Sequence, residues 1–389
     1  MRRRNFLMQC AVAGAAFAGP ALGDAVRTTQ AAGDGFFTLG QRRKRWFFIR
    51  PDGRPFFSLG LNHIDSASLR YRENIHLWRD KYGGSQRRWL QESVAPNLKS
   101  WGFNTVGWTQ EVVTRGFTNH RHSRAFTREE YQWLDLPYCH LLPFAETHQW
   151  EAETKNPDFQ STEWEDWCDH VAREHCAVLA DDPRLIGYFY VDCPTWVHVR
   201  PINKWKGPLF DPDKLASAAG RQELFALASR YYKVTHDAIR RYDKHHLILG
   251  DRYEANAPLP IEVVNAAKPF VDVLSFQDFR QPAEHLAEWY QNTGMPVLWA
   301  DGARSVAVED PTYPGGQYRR NSGQWYADVL AALRQNPGCI GAHLCGAYLR
   351  NRVRRYGLLD EQDRPDAENV RLMTAAHQAT EEWLRGYGG

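Results

Sequence analysis

Residues 185–196 read Leu-Ile-Gly-Tyr-Phe-Tyr-Val-Asp-Cys-Pro-Thr-Trp, and this stretch decides the fold. Its first half is an apolar, aromatic and β-branched run, which is typical of a strand buried on both faces. The run stops at Asp192, and Cys193 and the strand-breaking Pro194 follow directly. A buried strand with a carboxylate at its C-terminal tip is how parallel α/β barrels place functional groups. The stretch therefore predicts one strand of such a barrel.

Other apolar runs continue this pattern along the chain. We predict further strands at 61–65, 103–108, 138–144, 246–254, 272–278, 296–301 and 339–344, and helices near 86–100, 163–180, 214–242 and 317–335. Eight strands with intervening helices favour an α/β fold of the (β/α)8 TIM-barrel type, with long βα loops. An open doubly wound sheet is the competing architecture, but no glycine-rich phosphate loop follows any strand.

The N-terminal region is predicted to divide into an export signal, a linker and a hairpin. Residues 1–23 combine a twin-arginine pattern with a short apolar run and small residues for cleavage, which predicts a periplasmic or secreted protein. Residues 24–44 are predicted as a linker. In the hairpin that follows, 46–49 and 55–60 flank a Pro-Asp-Gly turn at 51–53. Residues 45–389 are predicted as a single barrel domain.

Composition narrows the function classes. The chain has 389 residues, 43% hydrophobic and 24% charged, as expected for a globular protein with a large core. Its formal charge is +2, and loss of the three arginines in 1–23 would leave −1, so no nucleic acid or membrane partner is predicted for the mature form. The cysteines form no Cys-x-x-Cys pair and show no metal-ligand spacing, so no metal or cofactor is predicted.

Nearly every predicted strand is apolar in its body and polar at its end. In a barrel these ends converge on one face, so we predict one site with a carbohydrate partner there. Asp192 and Asp301 each close an apolar strand and are the predicted catalytic residues, because glycosidic cleavage needs one protonated acid and one carboxylate. The predicted substrate-binding residues are Asn62, His63, Trp108, Glu111, Asp251, Arg252, Tyr253, Glu254, Gln277, Trp299 and His343.

Four segments resemble agarase and β-galactosidase-like glycoside hydrolases of the clan-A barrel type. They are residues 46–62, which contain Pro-Asp-Gly and Pro-Phe-Phe-Ser-Leu-Gly-Leu-Asn, and residues 101–107, 187–194 and 295–302. The resemblance implies a barrel with an acid/base glutamate after strand four and a nucleophilic glutamate after strand seven. This sequence departs at both places, since Cys193 stands at the acid/base position and Asp301 at the nucleophile position.

The first hypothesis is a glycoside hydrolase in which Asp192 donates the proton and Asp301 is nucleophile or base. Burial beside Tyr190 and Trp196 is expected to raise the pKa of one carboxyl. The shorter aspartate side chains favour an inverting route that uses water. In a variant of this hypothesis, the acid is Glu254 or Glu111.

Two alternatives come from other classes of protein. The second hypothesis is a non-catalytic carbohydrate-binding protein on a degenerate barrel, in which Cys193→Glu would restore some activity. The third hypothesis is a metal-dependent hydrolase that would use His63, Asp65, His343 and Asp301.

Overall fold

The computed structural model of the protein describes residues 35–115, 119–145, 158–194, 196, 213–256, 258–313, 315–346, 348–351 and 356–388, with the side chains of 110–124 excluded. The predicted export segment 1–23 and residues 24–34 of the predicted linker lie outside the described residues. Within the described ranges, no helix is both long enough and apolar enough to cross a membrane.

The strands, in chain order, are β1 (Thr38–Arg42), β2 (Arg45–Ile49), β3 (Pro55–Phe56), β4 (Ser58–Leu61), β5 (Thr105–Val106), β6 (Gln110–Arg115), β7 (Asn119–Ala125), β8 (Tyr138–Leu141), β9 (Leu185–Asp192), β10 (Leu247–Glu254), β11 (Leu274–Gln277), β12 (Val297–Asp301), β13 (Ser305–Glu309), β14 (Gln317–Asn321) and β15 (Cys339–Leu344). The α-helices are α1 (Gln86–Trp89), α2 (Ala95–Ser100), α3 (Arg128–Leu134), α4 (Thr162–Leu179), α5 (Ala218–Tyr242), α6 (Ile261–Ala267), α7 (Pro282–Thr293), α8 (Gly323–Leu333) and α9 (Ala367–Arg385). Shorter 3₁₀ turns span Ser66–Arg70 and Lys214–Ala216, and π-helical turns span Leu77–Lys81 and Leu90–Val94.

Eight parallel strands close into a barrel in the chain order β4, β5, β8, β9, β10, β11, β12 and β15, and β15 pairs back onto β4. This confirms the predicted (β/α)8 barrel and excludes the open doubly wound sheet. The stretch that decided the fold is β9, which pairs with β8 on one side and β10 on the other. Every residue of β9 except its terminal Asp192 is buried, because helices cover its outer face and side chains fill the barrel.

Successive side chains of β9 alternate between the two core layers. Phe189 points into the barrel, where it joins apolar residues such as Leu249, Leu298 and Ile340. Tyr188 and Tyr190 belong to the larger cluster between the strands and the surrounding helices. Because alternate residues of a strand face opposite sides, every residue at a strand end is directed either into the barrel mouth or toward a helix.

The predicted linker extends too far into the folded region. Thr38–Arg42 pairs antiparallel with Arg45–Ile49, and Arg43 and Lys44 both have positive φ, 51° and 64°. Positive φ at both turn residues is the geometry of a type I′ hairpin, whose twist matches the strands that it joins. The predicted hairpin is present as β2 and β3, so the N-terminal sheet has three strands.

Several predicted boundaries differ from the structure. The predicted strands 103–108 and 138–144 are shorter, at Thr105–Val106 and Tyr138–Leu141. The first barrel strand is Ser58–Leu61 instead of 61–65. The predicted helix 86–100 is divided by the π-helical turn Leu90–Val94, which precedes Pro96 and accommodates its missing N–H. The predicted helix 317–335 starts only after Ser322, because Gln317–Asn321 pairs with Ser305–Glu309 as a hairpin. Tertiary pairing overrides the helical pattern there.

Candidate active site

Polar side chains at the carboxyl ends of the barrel strands meet in one group, the strand-end cluster. Its members are Asn62, His63, Trp108, Asp192, Cys193, Arg252, Gln277 and Asp301. Backbone hydrogen bonds hold this part of the barrel together. The Cys193 N–H donates to the Arg252 carbonyl (3.1 Å), and the Asp278 N–H donates to the Asp301 carbonyl (2.8 Å). The cluster is therefore built on the main chain of the barrel itself.

Asp301 ends β12, and its side chain is only 4% exposed. Asn62 Nδ2 donates to its Oδ1 (2.7 Å), while its Oδ2 lies 3.7 Å from Arg252 Nη2 and 3.9 Å from His63 Nε2. Burial by itself would raise the pKa of Asp301, but the Arg252 charge, with His63 and Asn62, holds it well below the usual range. Asp301 is therefore a buried carboxylate at neutral pH.

The amide of Asn62 is fixed in the orientation that lets it donate to Asp301. Asn62 Oδ1 accepts a hydrogen bond from the Trp108 N–H (2.7 Å), and Nδ2 also donates to the Ala300 carbonyl (2.8 Å). A Cβ atom at Gly107 would lie 2.1 Å from Asn62 Oδ1, so the close approach requires glycine there. The backbone just after β5 thus orients the side chain of Asn62, which directly follows β4.

Arg252 lies between the two predicted catalytic carboxylates. Its buried guanidinium is 2.8 Å from Asp192 Oδ1 and 3.7 Å from Asp301 Oδ2, measured from Nη2. Burial lowers the pKa of Arg252, but Asp192 and Asp301 more than offset this and raise it. The guanidinium also lies 4.0 Å from the centre of the Trp108 ring. Trp108 is 2% exposed, so its indole supports Arg252 and is not an open platform for a sugar.

The tip of β9 presents a carboxylate and a thiol. Arg252 Nε and Gln277 Nε2 both donate to Asp192 Oδ1, at 3.1 and 3.2 Å, and such donors stabilise the charged form of a carboxyl. The Asp192 side chain is 16% exposed. Gln277 Nε2 also lies 2.6 Å from the Cys193 sulfur, and Cys193 has the left-handed φ of 49°.

His343 lies inside the barrel on β15. Its Nε2 hydrogen-bonds with the Ser58 hydroxyl (2.8 Å), and its ring packs edge-on against Phe189. Burial, with a smaller effect from Arg252, lowers the pKa of His343 to about 3. His343 is therefore a neutral residue that adds no charge to the carboxylates nearby.

Three predicted substrate-binding residues face the surrounding helices. Asp251 Oδ2 accepts a hydrogen bond from the Tyr232 hydroxyl of α5 (2.6 Å), and the Tyr253 hydroxyl bonds to the same tyrosine. The Trp299 ring packs against Trp325 of α8, with ring centroids 5.8 Å apart. These residues were predicted because they lie near strand ends. The alternation of side chains along each strand directs them toward the surrounding helices instead of the barrel mouth.

Among the predicted acids outside β9 and β12, the structure describes the side chains of Asp251 and Glu254 but not that of Glu111. Glu254 is half-buried at the end of β10, and the Glu111 side chain lies outside the described residues. Burial, partly opposed by Tyr232 and Tyr231, raises the pKa of Asp251 to about 7. The expected rise in pKa therefore occurs at Asp251, whose side chain lies between the barrel strands and α5. In Asp301, which faces the mouth, the shift has the opposite sign.

Cys345 is a member of the site that sequence reasoning missed. A ring nitrogen of His63, a carboxylate oxygen of Asp301 and the sulfur of Cys345 all lie within 4.8 Å of one another, and the three residues are buried. Cys345 directly follows β15, so the rule that found the other strand ends could have found it. Imidazole, carboxylate and thiolate are zinc-type ligands, but the Arg252 cation lies 3.7 Å from Asp301 Oδ2 and disfavours a metal.

The four residues of the metal-hydrolase hypothesis do not form one ligand set. Asp65 caps the turn Ser66–Arg70, where its Oδ1 accepts a hydrogen bond from the Ala67 N–H (3.0 Å). His343 Nε2 is engaged by Ser58. Of that set, His63 Nε2 and Asp301 Oδ2 lie 3.9 Å apart, and the residue that completes a group of three with them in the described structure is Cys345, not Asp65 or His343.

We expect stability to fall on acidification, because buried histidines are held neutral. Burial lowers the pKa of His343 to about 3 and that of His377 to about 4, and it also lowers the pKa of His140 well below the usual range. Between these values and about 6.5, the unfolded chain binds more protons than the folded chain. This stability is complete above about pH 6.5 and is lost as the pH falls, by up to ~1.4 kcal/mol per pH unit for each histidine.

Urea unfolding at pH 7.5, 6 and 5 measures this dependence. Asp251 acts in the opposite direction, because its raised folded pKa makes its contribution fall as the pH rises from about 4 toward 7. Three histidines outweigh one aspartate, so the net slope stays positive. The control is His377→Gln, which removes one buried histidine far from the cluster and should lower the slope by about one proton. A free energy of unfolding that is flat from pH 7.5 to 5 contradicts the expectation.

Comparison with solved structures places the fold among glycoside-hydrolase barrels. The agarase AgWH50C aligns with a TM-score of 0.66 at 17% identity, over 89% of this chain and 63% of the agarase chain. An exo-β-agarase aligns with a TM-score of 0.68 at 15% identity, over 90% and 66%. A β-glucuronidase of Bacteroides uniformis aligns with a TM-score of 0.54 at 13% identity, over 88% and 36%. The predicted resemblance to agarase-like barrels is confirmed for the fold.

The chain spans less than two thirds of the length of these agarases, at 63% and 66%. BpGH50 is covered further, with 84% of its chain aligned at a TM-score of 0.62 and 14% identity. No protein-family model and no curated protein sequence matches this chain. At these identities the likeness establishes the architecture.

Proposed function

We propose that the protein is a glycoside hydrolase that cleaves O-glycosidic bonds of a poly- or oligosaccharide. In this proposal Asp301 is the carboxylate that acts at the anomeric carbon or on an attacking water, and Asp192 is the proton donor. The observation that carries the proposal is the buried Asp301 carboxyl at the end of the seventh barrel strand, with Arg252, His63 and Asn62 around it. Agarases and a β-glucuronidase among the similar structures make a carbohydrate the best-supported substrate class.

Asp301 has the properties that either role requires. A nucleophile or general base must be unprotonated at the working pH, and Arg252, His63 and Asn62 keep this carboxyl ionised. The same neighbours fix its orientation, since Asn62 donates to one oxygen and Arg252 approaches the other. Positive charge that develops on the sugar ring in the transition state would be stabilised by this carboxylate.

Asp192 fits its proposed role less well. A proton donor must be protonated before it acts, but Arg252 and Gln277 both donate to Asp192 Oδ1 and favour its charged form. Protonation of the leaving group is therefore the weak step of this site. We infer that turnover depends steeply on the leaving group, with activated aryl glycosides cleaved much faster than natural alkyl-type linkages.

Replacing Asp192 by asparagine should separate these roles. If Asp192 donates the proton, Asp192→Asn lowers turnover of a glycoside with a poor leaving group by about 10²–10⁴-fold, while a dinitrophenyl glycoside is cleaved at nearly the original rate. The aryl substrate serves as the internal control, because its leaving group departs without a proton. Equal losses on both substrates would mean that Asp192 acts only as the ion-pair partner of Arg252.

The second candidate is a carbohydrate-binding protein without hydrolase activity. The contacts of Asp192 and the thiol at Cys193 favour it, because together they leave the β9 tip without an evident acid. The two candidates differ in one measurable property, since both predict sugar binding but only the first predicts cleavage.

The deciding experiment is a screen of the purified protein on algal and bacterial polysaccharides, galactosides and uronate-containing oligosaccharides. Binding is measured by calorimetry, and product anomers are followed by NMR, which distinguishes inversion from retention. Release of reducing ends supports the hydrolase. Saturable binding without release, on every substrate and on the aryl glycosides, supports the binding protein instead.

Export through the twin-arginine pathway is part of the proposal and is tested by fractionation with and without residues 1–23.

A further inference from the structure

Asp251 lies outside the strand-end cluster, on the opposite face of β10, where it is buried against α5. Its Oδ1 accepts hydrogen bonds from the Tyr231 hydroxyl (3.0 Å) and from the backbone N–H of Val191 (3.3 Å). Its Oδ2 accepts one from the Tyr232 hydroxyl (2.6 Å), and that hydroxyl also bonds to Tyr253. One carboxylate thus ties a helix and two barrel strands together.

The bond to Val191 occurs where the pairing of β9 with β10 is irregular. The backbone partners there are Tyr188 with Ile248, Phe189 with Gly250, and Asp192 with Arg252. From the second pair to the third, β9 advances by three residues and β10 by two, so β9 carries one extra residue. Such a bulge removes an N–H from the regular ladder, and bulges of this kind re-aim side chains near functional sites.

Gly250 allows the compensating irregularity on β10. Its φ is +67°, and a Cβ at this position would lie 3.1 Å from Val271 Cγ1, so glycine meets both requirements. The two irregularities are opposite in sense and bring the strands back into their original register at Asp192 and Arg252. The third pair is the one that sets the Asp192–Arg252 contact of 2.8 Å.

We propose that Asp251 is a positioning residue that fixes the bulge of β9 by accepting the Val191 N–H. It thereby places Asp192 and Cys193 against Arg252, although its own side chain never enters the barrel mouth. Without the carboxylate, the Val191 N–H and the hydroxyls of Tyr231 and Tyr232 lose the oxygen to which they donate, although Tyr232 keeps its hydrogen bond with Tyr253. In a variant without this carboxylate, we expect the tip of β9 to move, because Asp192 and Cys193 directly follow Val191 and their pairing with Arg252 depends on the bulge.

Cys193 provides a probe of this position that does not depend on catalysis. Among the described cysteines it alone is not buried, and its N–H donates to the Arg252 carbonyl (3.1 Å). The rate of its reaction with Ellman's reagent, taken as the difference between each protein and the same protein carrying Cys193→Ser, reports the exposure of the β9 tip. The matched control is Asp243→Ala. Asp243 is also buried and accepts a tyrosine hydroxyl, from Tyr188 (2.6 Å), but it precedes β10 at the other end of the barrel.

We expect Asp251→Ala to speed the modification of Cys193 by about tenfold or more, and Asp243→Ala to change it by less than about twofold, at a temperature where both are folded. Asp251→Asn keeps an oxygen for the Val191 N–H and should stay within about threefold of the original rate. In the unsubstituted protein, hydrogen exchange measured by mass spectrometry should show Val191 protected. Its exchange at the rate of an open loop would overturn the proposal even if Asp251→Ala fails to fold.

The catalytic consequence rests on the proposed function and is measured separately. If the protein hydrolyses glycosides, Asp251→Ala lowers kcat with little change in KM, whereas Asp243→Ala leaves both near their original values. Unchanged Cys193 reactivity and unchanged kcat in Asp251→Ala overturn the inference. If no glycoside is cleaved, the proposed function fails, while the Cys193 and exchange measurements still decide the role of Asp251.

Discussion

Replacing Asp301 with asparagine is expected to lower turnover by about 10³-fold or more, the order seen when one member of a catalytic unit is removed. The amide has the same shape, but it cannot act as nucleophile or base and cannot stabilise positive charge on the sugar. Arg252 keeps Asp192 as a partner in this variant, so the protein should remain folded. Turnover and circular dichroism at the same temperature measure the two effects.

Asp278→Asn is the matched control for that experiment. Asp278 is also fully buried and directly follows the neighbouring strand β11, but it contacts His285 and accepts the backbone N–H of Arg280 (2.7 Å) near the start of α7. We expect it to lower the unfolding temperature without a comparable loss of turnover. If Asp301→Asn retained more than about a tenth of the original rate, the carboxylate would have to be assigned elsewhere.

Replacing Cys193 with glutamate should increase turnover by about 10²-fold or more on glycosides with poor leaving groups, the lower range of general acid catalysis. Cys193 stands at the tip of β9, beside Gln277 and one residue from Asp192. A thiol is a poor proton donor to a departing alkoxide, whereas the introduced carboxyl supplies a transferable proton at this position. The gain should be absent for dinitrophenyl glycosides, which leave without protonation.

Cys193→Gln is the control. Glutamine has nearly the same shape as glutamate and would occupy the same left-handed backbone position, but it has no proton to transfer to the leaving group. The glutamate variant should also show a new basic limb in the pH profile of kcat/KM, which reports the titration of the introduced acid. Equal rates for the two variants would mean that the missing proton is not the limitation at this site. A gain in the glutamate variant from a protein with no initial activity would instead identify a degenerate barrel.

Much of the site was predictable because barrel topology brings strand ends together. The rule that a buried strand carries its function at the carboxyl end placed Asn62, Asp192, Gln277 and Asp301 in one cluster. The same rule failed for Asp251 and Trp299, whose side chains pack against α5 and α8. Polarity at a strand end does not state which face of the strand a residue occupies, and the bulges at β9 and β10 shift that alternation locally.

The charge relations were not predictable from the residues that carry them. Arg252 was expected to bind substrate, yet its guanidinium is buried between Asp192 and Asp301 and rests on Trp108. The Arg252 cation holds the pKa of Asp301 well below the usual range, so the expected rise in pKa does not occur at this carboxyl of the barrel mouth. Pairwise distances of 3–4 Å decide such effects, and sequence separation contains no information about them.

The sequence by itself determined the architecture, because eight apolar runs with intervening helices have few ways to bury their faces, and a closed barrel is one of them. It also determined that Asp192 and Cys193 stand together at the tip of β9. Only the tertiary structure decided that Asp192 is held by Arg252 and Gln277 and that Asp251 holds the β9 tip from behind. The reason is physical. Burial patterns are local and periodic, whereas ionisation and register depend on contacts between residues that the chain separates by about 60 positions or more.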